Sequence, residues 1–318
     1  SGSGVATASA IGGLTIPAMK KEGYPAPFAV AVSSISSILG PIIPPSITLI
    51  VYASITNVSV SQLFMGSVIP GILLAGSLIV YALVYGKRKN LPAHEKQTPK
   101  QIGHAFKEGI WALLMPIIIV GTITLGIVSP TEAGVIAVVY GLFAGGIVYR
   151  ELKWEDIKFA FAETVRTSGR IFIVIGAAKL YTVMLTTAGF DKWVAKTMLG
   201  FSSNPTVILI MILLIFFIVT MFMESIATLT LFMPILYPIA LGVGIDPIVL
   251  SVLITVVIGV GLVTPPVGMC IYVACDLMDV TVGEVFPTLV PFIAATFVCI
   301  ALMVAFPQLI LLPTYLMA

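Results

Sequence analysis

Gly261-Leu262-Val263-Thr264-Pro265-Pro266-Val267-Gly268 interrupts a long apolar segment, where a helix would otherwise run on. A Pro-Pro pair removes two backbone donors and pushes the preceding residue out of the α region. In lipid, the carbonyls so freed cannot turn to water. Such a break is tolerated only where it faces protein, a cavity or an ion. The same device stands earlier, at Gly40-Pro41-Ile42-Ile43-Pro44-Pro45-Ser46. Matched breaks in corresponding hydrophobic segments are a sequence signature of a transporter binding site.

The two breaks belong to an internal repeat. Pro44 and Pro265 stand 221 residues apart, and the same offset pairs Thr7 with Thr228, Pro17 with Pro238, Gly23 with Gly244 and Gly40 with Gly261. It also pairs Pro45 with Pro266, Ala53 with Ala274 and Pro70 with Pro291. Each unit reads as a polar tip, a short apolar helix, a Gly-containing turn, a broken helix and a full span. The first arm, 1–19, is too short and too weakly apolar to cross a bilayer, which needs about 20 apolar residues. It reads as the returning arm of a re-entrant hairpin. Residue 1 already lies inside a motif, so the chain is expected to be the later part of a longer protein.

Composition sets the class. Of 318 residues, 59% are hydrophobic and 9% are charged, with a mean hydropathy of +1.14. Soluble domains carry about a quarter charged residues, so this is an all-α integral membrane protein. A net charge of +2 is too small to suggest nucleic acid. Cys270, Cys275 and Cys299 all lie in apolar segments and read as small hydrophobes.

The remaining chain is read in order. Phe28–Leu39 and Ser46–Ala53 are the two halves of the first broken helix, and Gln62–Tyr85 is a span. Residues 86–107 are lysine-rich and by the positive-inside rule face the cytoplasm. His94 and His104 lie there without partners at ligand spacing. Ile110–Val128 and Ala133–Tyr149 are spans joined by a tight turn at Ser129–Glu132. Ile157–Arg170 reads as an amphipathic in-plane helix, followed by a separate span, Ile171–Thr187. Lys179 inside that span suits snorkelling or a subunit contact better than a transport role. Asp191–Met198 is a second interfacial piece. Pro205–Leu241, interrupted at Met223-Glu224-Ser225, is too short for two spans and reads as a second hairpin. Ile248–Val260 and Met269–Cys275 are the second broken helix, and Phe286–Leu312 is the last span. Domain boundaries are expected at 1–53, 54–200, 201–277 and 278–318. The first and third pieces form a transport domain, the others a scaffold. Counting crossings turns the second repeat over relative to the first, and inverted repeats with facing broken helices describe alternating access.

Half-helix ends expose carbonyls on one side and N–H groups on the other. Carbonyls with hydroxyls make an oxygen cage for Na⁺, and the N–H ends favour an anionic group. One cation site is expected from Ser1, Ser3, Gly40, Ile43 and Pro45, a second from Thr220, Ser225, Gly261, Thr264 and Val267. Glu224 is read both as a functional mid-membrane carboxylate and as a helix cap. Ser33, Ser34, Ser36 and Ser37 read as packing hydroxyls. Ser46 and Thr48 are better placed to touch a solute.

Ser1-Gly2-Ser3-Gly4-Val5-Ala6, Ile16-Pro17-Ala18-Met19-Lys20-Lys21, the two breaks, and Met221-Phe222-Met223-Glu224-Ser225 closely resemble the large membrane (M) subunit of the tripartite ATP-independent periplasmic (TRAP) transporters. The resemblance covers essentially the whole chain. It implies a multi-pass protein of the bacterial inner membrane that takes up organic acids such as C4-dicarboxylates or sialic acid, driven by Na⁺. It further implies a periplasmic substrate-binding (P) protein, a small membrane (Q) subunit and an elevator mechanism in which the hairpin-bearing domain moves. Ser3, Thr48 and Glu224 match the family's substrate-side positions. The family often has Gly at position 220 and Asp at position 224. The rival readings are a Na⁺-coupled carboxylate carrier or ion antiporter that needs no binding protein, an intramembrane protease using Asp276 and Asp279, and a non-transporting scaffold.

Overall fold

The computed structural model describes residues 2–92 and 98–315, and the described residues are helices joined by short turns. The chain divides into two compact units, Ser1–Pro92 with Val174–Ala318, and Ala93–Ile173. Among the described residues, six helices are long and apolar enough to cross a membrane.

In the larger unit, α1 (Gly4–Lys21) is followed by α2 (Ala26–Ser36), which continues as a 3-10 turn over Ser37–Leu39. After the break, α3 (Ile47–Thr56) and α4 (Val60–Arg88) complete the first half. The second half repeats the plan with α10 (Ser225–Gly242), α11 (Pro247–Val263), α12 (Met269–Asp276) and α13 (Val282–Ala305). Shifted by 221, the bounds of α1 become those of α10, and α2, α3 and α4 start within one residue of α11, α12 and α13. The caps repeat as well. Ser3 accepts from Ala6 N at the start of α1, and Glu224 accepts from Ile226 N at the start of α10. Beyond the far ends of these helices, Gly23 and Gly244 take φ of +82° and +83°, which a residue with a Cβ adopts at a cost.

The two halves are interleaved rather than side by side. Helix α1 packs on α12 of the other half, and the counterpart contact, α10 on α3, is also made. Likewise α2 packs on α13, and α11 on α4. A Cβ on Gly259 would lie 3.0 Å from Ile38 Cβ. These two residues are themselves 221 apart. A residue that touches its own counterpart lies on the local two-fold axis relating the halves. Helix α11 is buried on every side from Val249 to Val263, as expected of a segment that is apolar all round.

Helix α9 (Pro205–Thr220) precedes α10, packs against it, and is separated from it by Met221–Glu224. Its 16 residues span about 24 Å at 1.5 Å per residue, short of the roughly 30 Å hydrocarbon core. Helix α8 (Phe190–Phe201) lies against α9 and α10, and α14 (Gln308–Tyr315) against α4. In the smaller unit, α5 (Pro99–Thr124) and α6 (Pro130–Phe143), extended by a π-turn over Ala144–Val148, form an antiparallel pair. Tyr140 Oη donates to Trp111 O at 2.7 Å and Tyr149 Oη to Glu108 O at 2.8 Å.

Three sequence expectations differ from the structure. The in-plane piece and span expected over 157–187 are one helix, α7 (Trp154–Thr187); a polar stretch alone supplies no backbone reason to stop. The last span does not reach Leu312, because α13 ends at Ala305 before Pro307 and α14 starts at Gln308. Phe306, with φ −127° and ψ 72°, is held out of the α region by the proline after it. The turn at Ser129–Glu132 is the first turn of α6, with Ser129 accepting from Glu132 N as its cap.

Candidate ion and substrate site

The sequence places an abrupt end on each broken helix, and the residues before α1 and those between α9 and α10 fill the gaps. At the first break, Gly2 and Ser3 precede α1 and dock by main chain: Ile47 N donates to Gly2 O at 3.3 Å. Gly2 has φ +71°, and a Cβ there would meet Pro45 O at 3.1 Å. A Cβ on Gly40 would lie 2.3 Å from Thr7 Oγ1, 3.1 Å from Ser3 O and 3.2 Å from Ser37 O. The position of that absent Cβ is therefore ringed by oxygens. Thr7 Oγ1 donates to Ser3 O at 2.8 Å.

The second break repeats the arrangement with a hydroxyl from the other arm of its hairpin. A Cβ on Gly261 would lie 2.0 Å from Thr220 Oγ1 and 3.1 Å from Phe217 O. Thr220, buried at the end of α9, donates to Phe216 O at 2.6 Å. Across the tip, Val267 N donates to Met221 O at 3.1 Å. Thr264 caps the end of α11, its N–H on Gly261 O at 3.1 Å and its hydroxyl on Val260 O at 2.7 Å. Both Pro44-Pro45 and Pro265-Pro266 are cis.

Of the residues expected at the first cation site, Ser3, Gly40 and Pro45 are drawn around this tip, and Ser1 lies outside the described residues. Ile43 is expected there through its main chain, and its side chain points to Gly71 on α4, where a Cβ would sit 2.8 Å from its Cγ1. At the second site, Thr220, Gly261, Thr264 and Val267 come together, while Ser225 is buried as the first residue of α10. Thr7 was missed. Its only sequence signal was its pairing with Thr228, whose hydroxyl donates to Glu224 O at 3.0 Å just as Thr7 bonds Ser3 O.

The substrate-side candidates separate by what their polar atoms already do. Ser46 is fully buried and caps α3, accepting from Leu49 N at 3.2 Å and donating to Pro41 O. Thr48, two residues on, is 3% exposed, and among the described residues its hydroxyl makes no hydrogen bond. Glu224 is exposed, and one of its oxygens, Oε2, accepts from Ile226 N at 2.8 Å and Ala227 N at 3.4 Å. It is a helix cap with a second oxygen to spare. The serines of α2 pack: Ser34 donates to Val30 O, Ser37 to Ser34 O, and Ser33 Oγ lies 3.2 Å from Thr15 Oγ1 on α1.

Among the described residues no three His, Cys, Asp or Glu side chains group as metal ligands. His104 pairs with Glu108 at 3.4 Å on an exposed surface, and His94 lies outside the described residues. The three cysteines are buried thiols. What the breaks do present is main-chain and hydroxyl oxygen, a hard donor set that suits Na⁺.

Residues 1–309 match the protein family described as "Tripartite ATP-independent periplasmic transporter, DctM component". The isethionate TRAP transporter permease protein DctMQ of Oleidesulfovibrio alaskensis is 36% identical over 92% of this chain and 46% of its own length. The sialic acid TRAP transporter permease protein SiaT of Haemophilus influenzae is 32% identical over 98% of this chain and 50% of its own. The C4-dicarboxylate TRAP transporter large permease protein DctM of Pseudomonas aeruginosa is 32% identical over 99% of this chain and 74% of its own. The chain thus spans about half the length of the first two relatives and about three quarters of the third.

Proposed function

This chain belongs to the DctM component family of the tripartite ATP-independent periplasmic transporters, which are permeases rather than enzymes, and from that premise we propose that it drives Na⁺-coupled uptake of a carboxylate-bearing organic solute. The solute class is that of sialic acid or a C4-dicarboxylate. A periplasmic substrate-binding protein hands it over, and a small membrane (Q) subunit holds the scaffold in the bacterial inner membrane. The observation that carries the reading is the meeting of the two helix breaks, brought together at Ile38 and Gly259, each lined by a glycine against a threonine hydroxyl.

Two cations would be held by oxygen. Ser3, Thr7, Gly40 and Pro45 would serve the first, and Thr220, Gly261, Thr264 and Val267 the second. Na⁺ moving down its electrochemical gradient would supply the energy that transport draws on. The chain's own task is to set the oxygens in place before the ion arrives. Gly40 and Gly261 do this by leaving room for the hydroxyls, and the caps Ser3 and Glu224 by fixing where each hairpin tip begins. The amide-rich starts of α1, α3 and α12 would face a carboxylate, with the Thr48 hydroxyl as a further donor. The second oxygen of Glu224 would accept from a hydroxyl or amine of the solute. The α1 tip and the α9–α10 pair would be re-entrant hairpins, moving with the broken helices as one body in an elevator cycle.

The test is uptake by the full-length protein, reconstituted with its small subunit and its binding protein, across a panel of organic acids under an imposed Na⁺ gradient. Accumulation that requires both the gradient and the binding protein is expected. Equal uptake of free solute without the binding protein would overturn the tripartite reading in favour of a stand-alone carrier.

A further inference from the structure

A second polar feature lies away from the helix breaks. A cleft of about 370 Å³ opens between the end of α7, the first turns of α8 and the last turn of α10, lined by Thr186, Asp191, Lys192, Leu199, Pro234 and Pro238 among others. Three helices end or begin at this level, so the cleft sits where apolar segments meet the membrane surface. Helix α8 has the composition of an in-plane helix: Asp191, Lys192 and Lys196 alternate with Phe190, Trp193 and Leu199. Trp193 is 61% exposed and stacks on Phe190 at 5.5 Å. Tryptophan is enriched at headgroup depth, and amphipathic helices of this kind lie in the interface plane.

The cleft holds an unmet demand. Oδ1 of Asp191 is buried, and among the described residues it has no hydrogen-bond partner. Neither Asp191 nor Lys192 forms an ion pair there. A buried carboxylate oxygen left unpaired is costly, and more so than a neutral acceptor. What fits is a donor cation for Asp191, an anion for Lys192, and an apolar body against the proline face of α10.

We infer that this cleft binds a zwitterionic lipid with a primary ammonium headgroup, the ammonium N–H groups donating to Asp191 and the lipid phosphate facing Lys192. One acyl chain then lies along Pro234, Pro238 and Leu199. The site lies on α10, the arm whose N-terminus carries Glu224, so its occupant touches the hairpin proposed to move, but its existence does not depend on transport.

The prediction turns on N–H donors. A primary ammonium has three, while the quaternary ammonium of a choline headgroup has the same charge and none. The full-length protein is exchanged into micelles containing phosphatidylglycerol with equal amounts of phosphatidylethanolamine or phosphatidylcholine, and the retained lipid is counted by native mass spectrometry. Wild-type protein is expected to retain phosphatidylethanolamine over phosphatidylcholine by about tenfold, the value of one charge-assisted hydrogen bond. Asp191→Asn, a near-isosteric change, is expected to remove most of that preference, and Lys192→Gln to weaken retention of the same lipid. Excess soluble phosphoethanolamine is expected to leave the lipid in place, because it lacks the apolar body. Equal retention of the two lipids by wild-type protein would overturn the proposal without any variant. So would a preference that survives Asp191→Asn, or displacement by the soluble headgroup.

Discussion

Gly261→Ala puts a methyl group where Thr220 Oγ1 already stands. The added Cβ would lie 2.0 Å from that oxygen, 2.8 Å from Thr220 Cβ and 3.1 Å from Phe217 O. Ordinary contact begins at about 3.4 Å, so the hydroxyl must retreat by more than an ångström. It has nowhere to go, since Thr220 is 2% exposed and its hydroxyl is bonded at 2.6 Å to Phe216 O. Overpacking of this kind costs about 1–3 kcal/mol, and breaking a buried hydroxyl bond adds about 1 kcal/mol. If roughly 2 kcal/mol of this falls on the ion-bound state, Na⁺ affinity drops by about thirtyfold. Removing the obstacle supplies the control: Thr220→Gly deletes both atoms under 3 Å, for about 1 kcal/mol of helix propensity. The assay is a double-mutant cycle on the Na⁺-dependent shift in melting temperature, with Na⁺-driven uptake measured alongside. Gly261→Ala is expected to lose most of the shift, Thr220→Gly to lose the share its hydroxyl supplies, and the double variant to fall no further than Thr220→Gly alone, a coupling of about 1–2 kcal/mol. Additive effects, or a single variant that keeps the wild-type Na⁺ response, would refute it.

Gly40→Ala should act alike at the other break, since its Cβ would lie 2.3 Å from Thr7 Oγ1; Na⁺ titration should show lost affinity, and adding Gly40→Ala to Thr7→Ala should cost little beyond Thr7→Ala alone. Glu224→Gln should lower uptake while shifting the melting temperature little, because Gln retains an acceptor for Ile226 N and forfeits only the about 0.3–1 kcal/mol of a charge at a helix N-terminus; wild-type uptake would count against a solute role. Ser46→Ala should destabilise by about 1 kcal/mol through its lost cap yet leave the ranking of organic acids unchanged, and an altered ranking would mean that Ser46 reaches solute. Asp276→Asn with Asp279→Asn should leave transport intact, as expected of a permease whose exposed Asp276 and Asp279 do no chemistry.

Much of the architecture could be read from the chain because its signals are local. Proline removes donors wherever it stands, so both breaks announced themselves, and Gly23 and Gly244 marked matching turns. A helix cap is equally local, and Glu224 caps α10 as its position before the helix suggests. What stayed hidden was non-local or required an absence of signal. Nothing in the spacing of Thr7 and Gly40 says that the hydroxyl of one occupies the Cβ position of the other. That contact exists only once α1 has docked on the break. The continuity of α7 is hidden because polarity changes near Arg170, while no residue there is able to end a helix. At Pro307 the converse holds: the hydropathy runs on, but the proline stops the helix. Position alone puts Ser46 beside the solute, and no sequence signal shows that its hydroxyl also bonds Pro41 O and Leu49 N.

That the kinked segments hold sodium through main-chain and hydroxyl oxygen can be measured by counting radioactive sodium bound to the purified full-length protein at equilibrium. Two ions per chain are expected for the wild type, one for Gly40→Ala, one for Gly261→Ala and none for the pair together. An unchanged count in both single variants, with the proteins folded, would contradict the account at its centre.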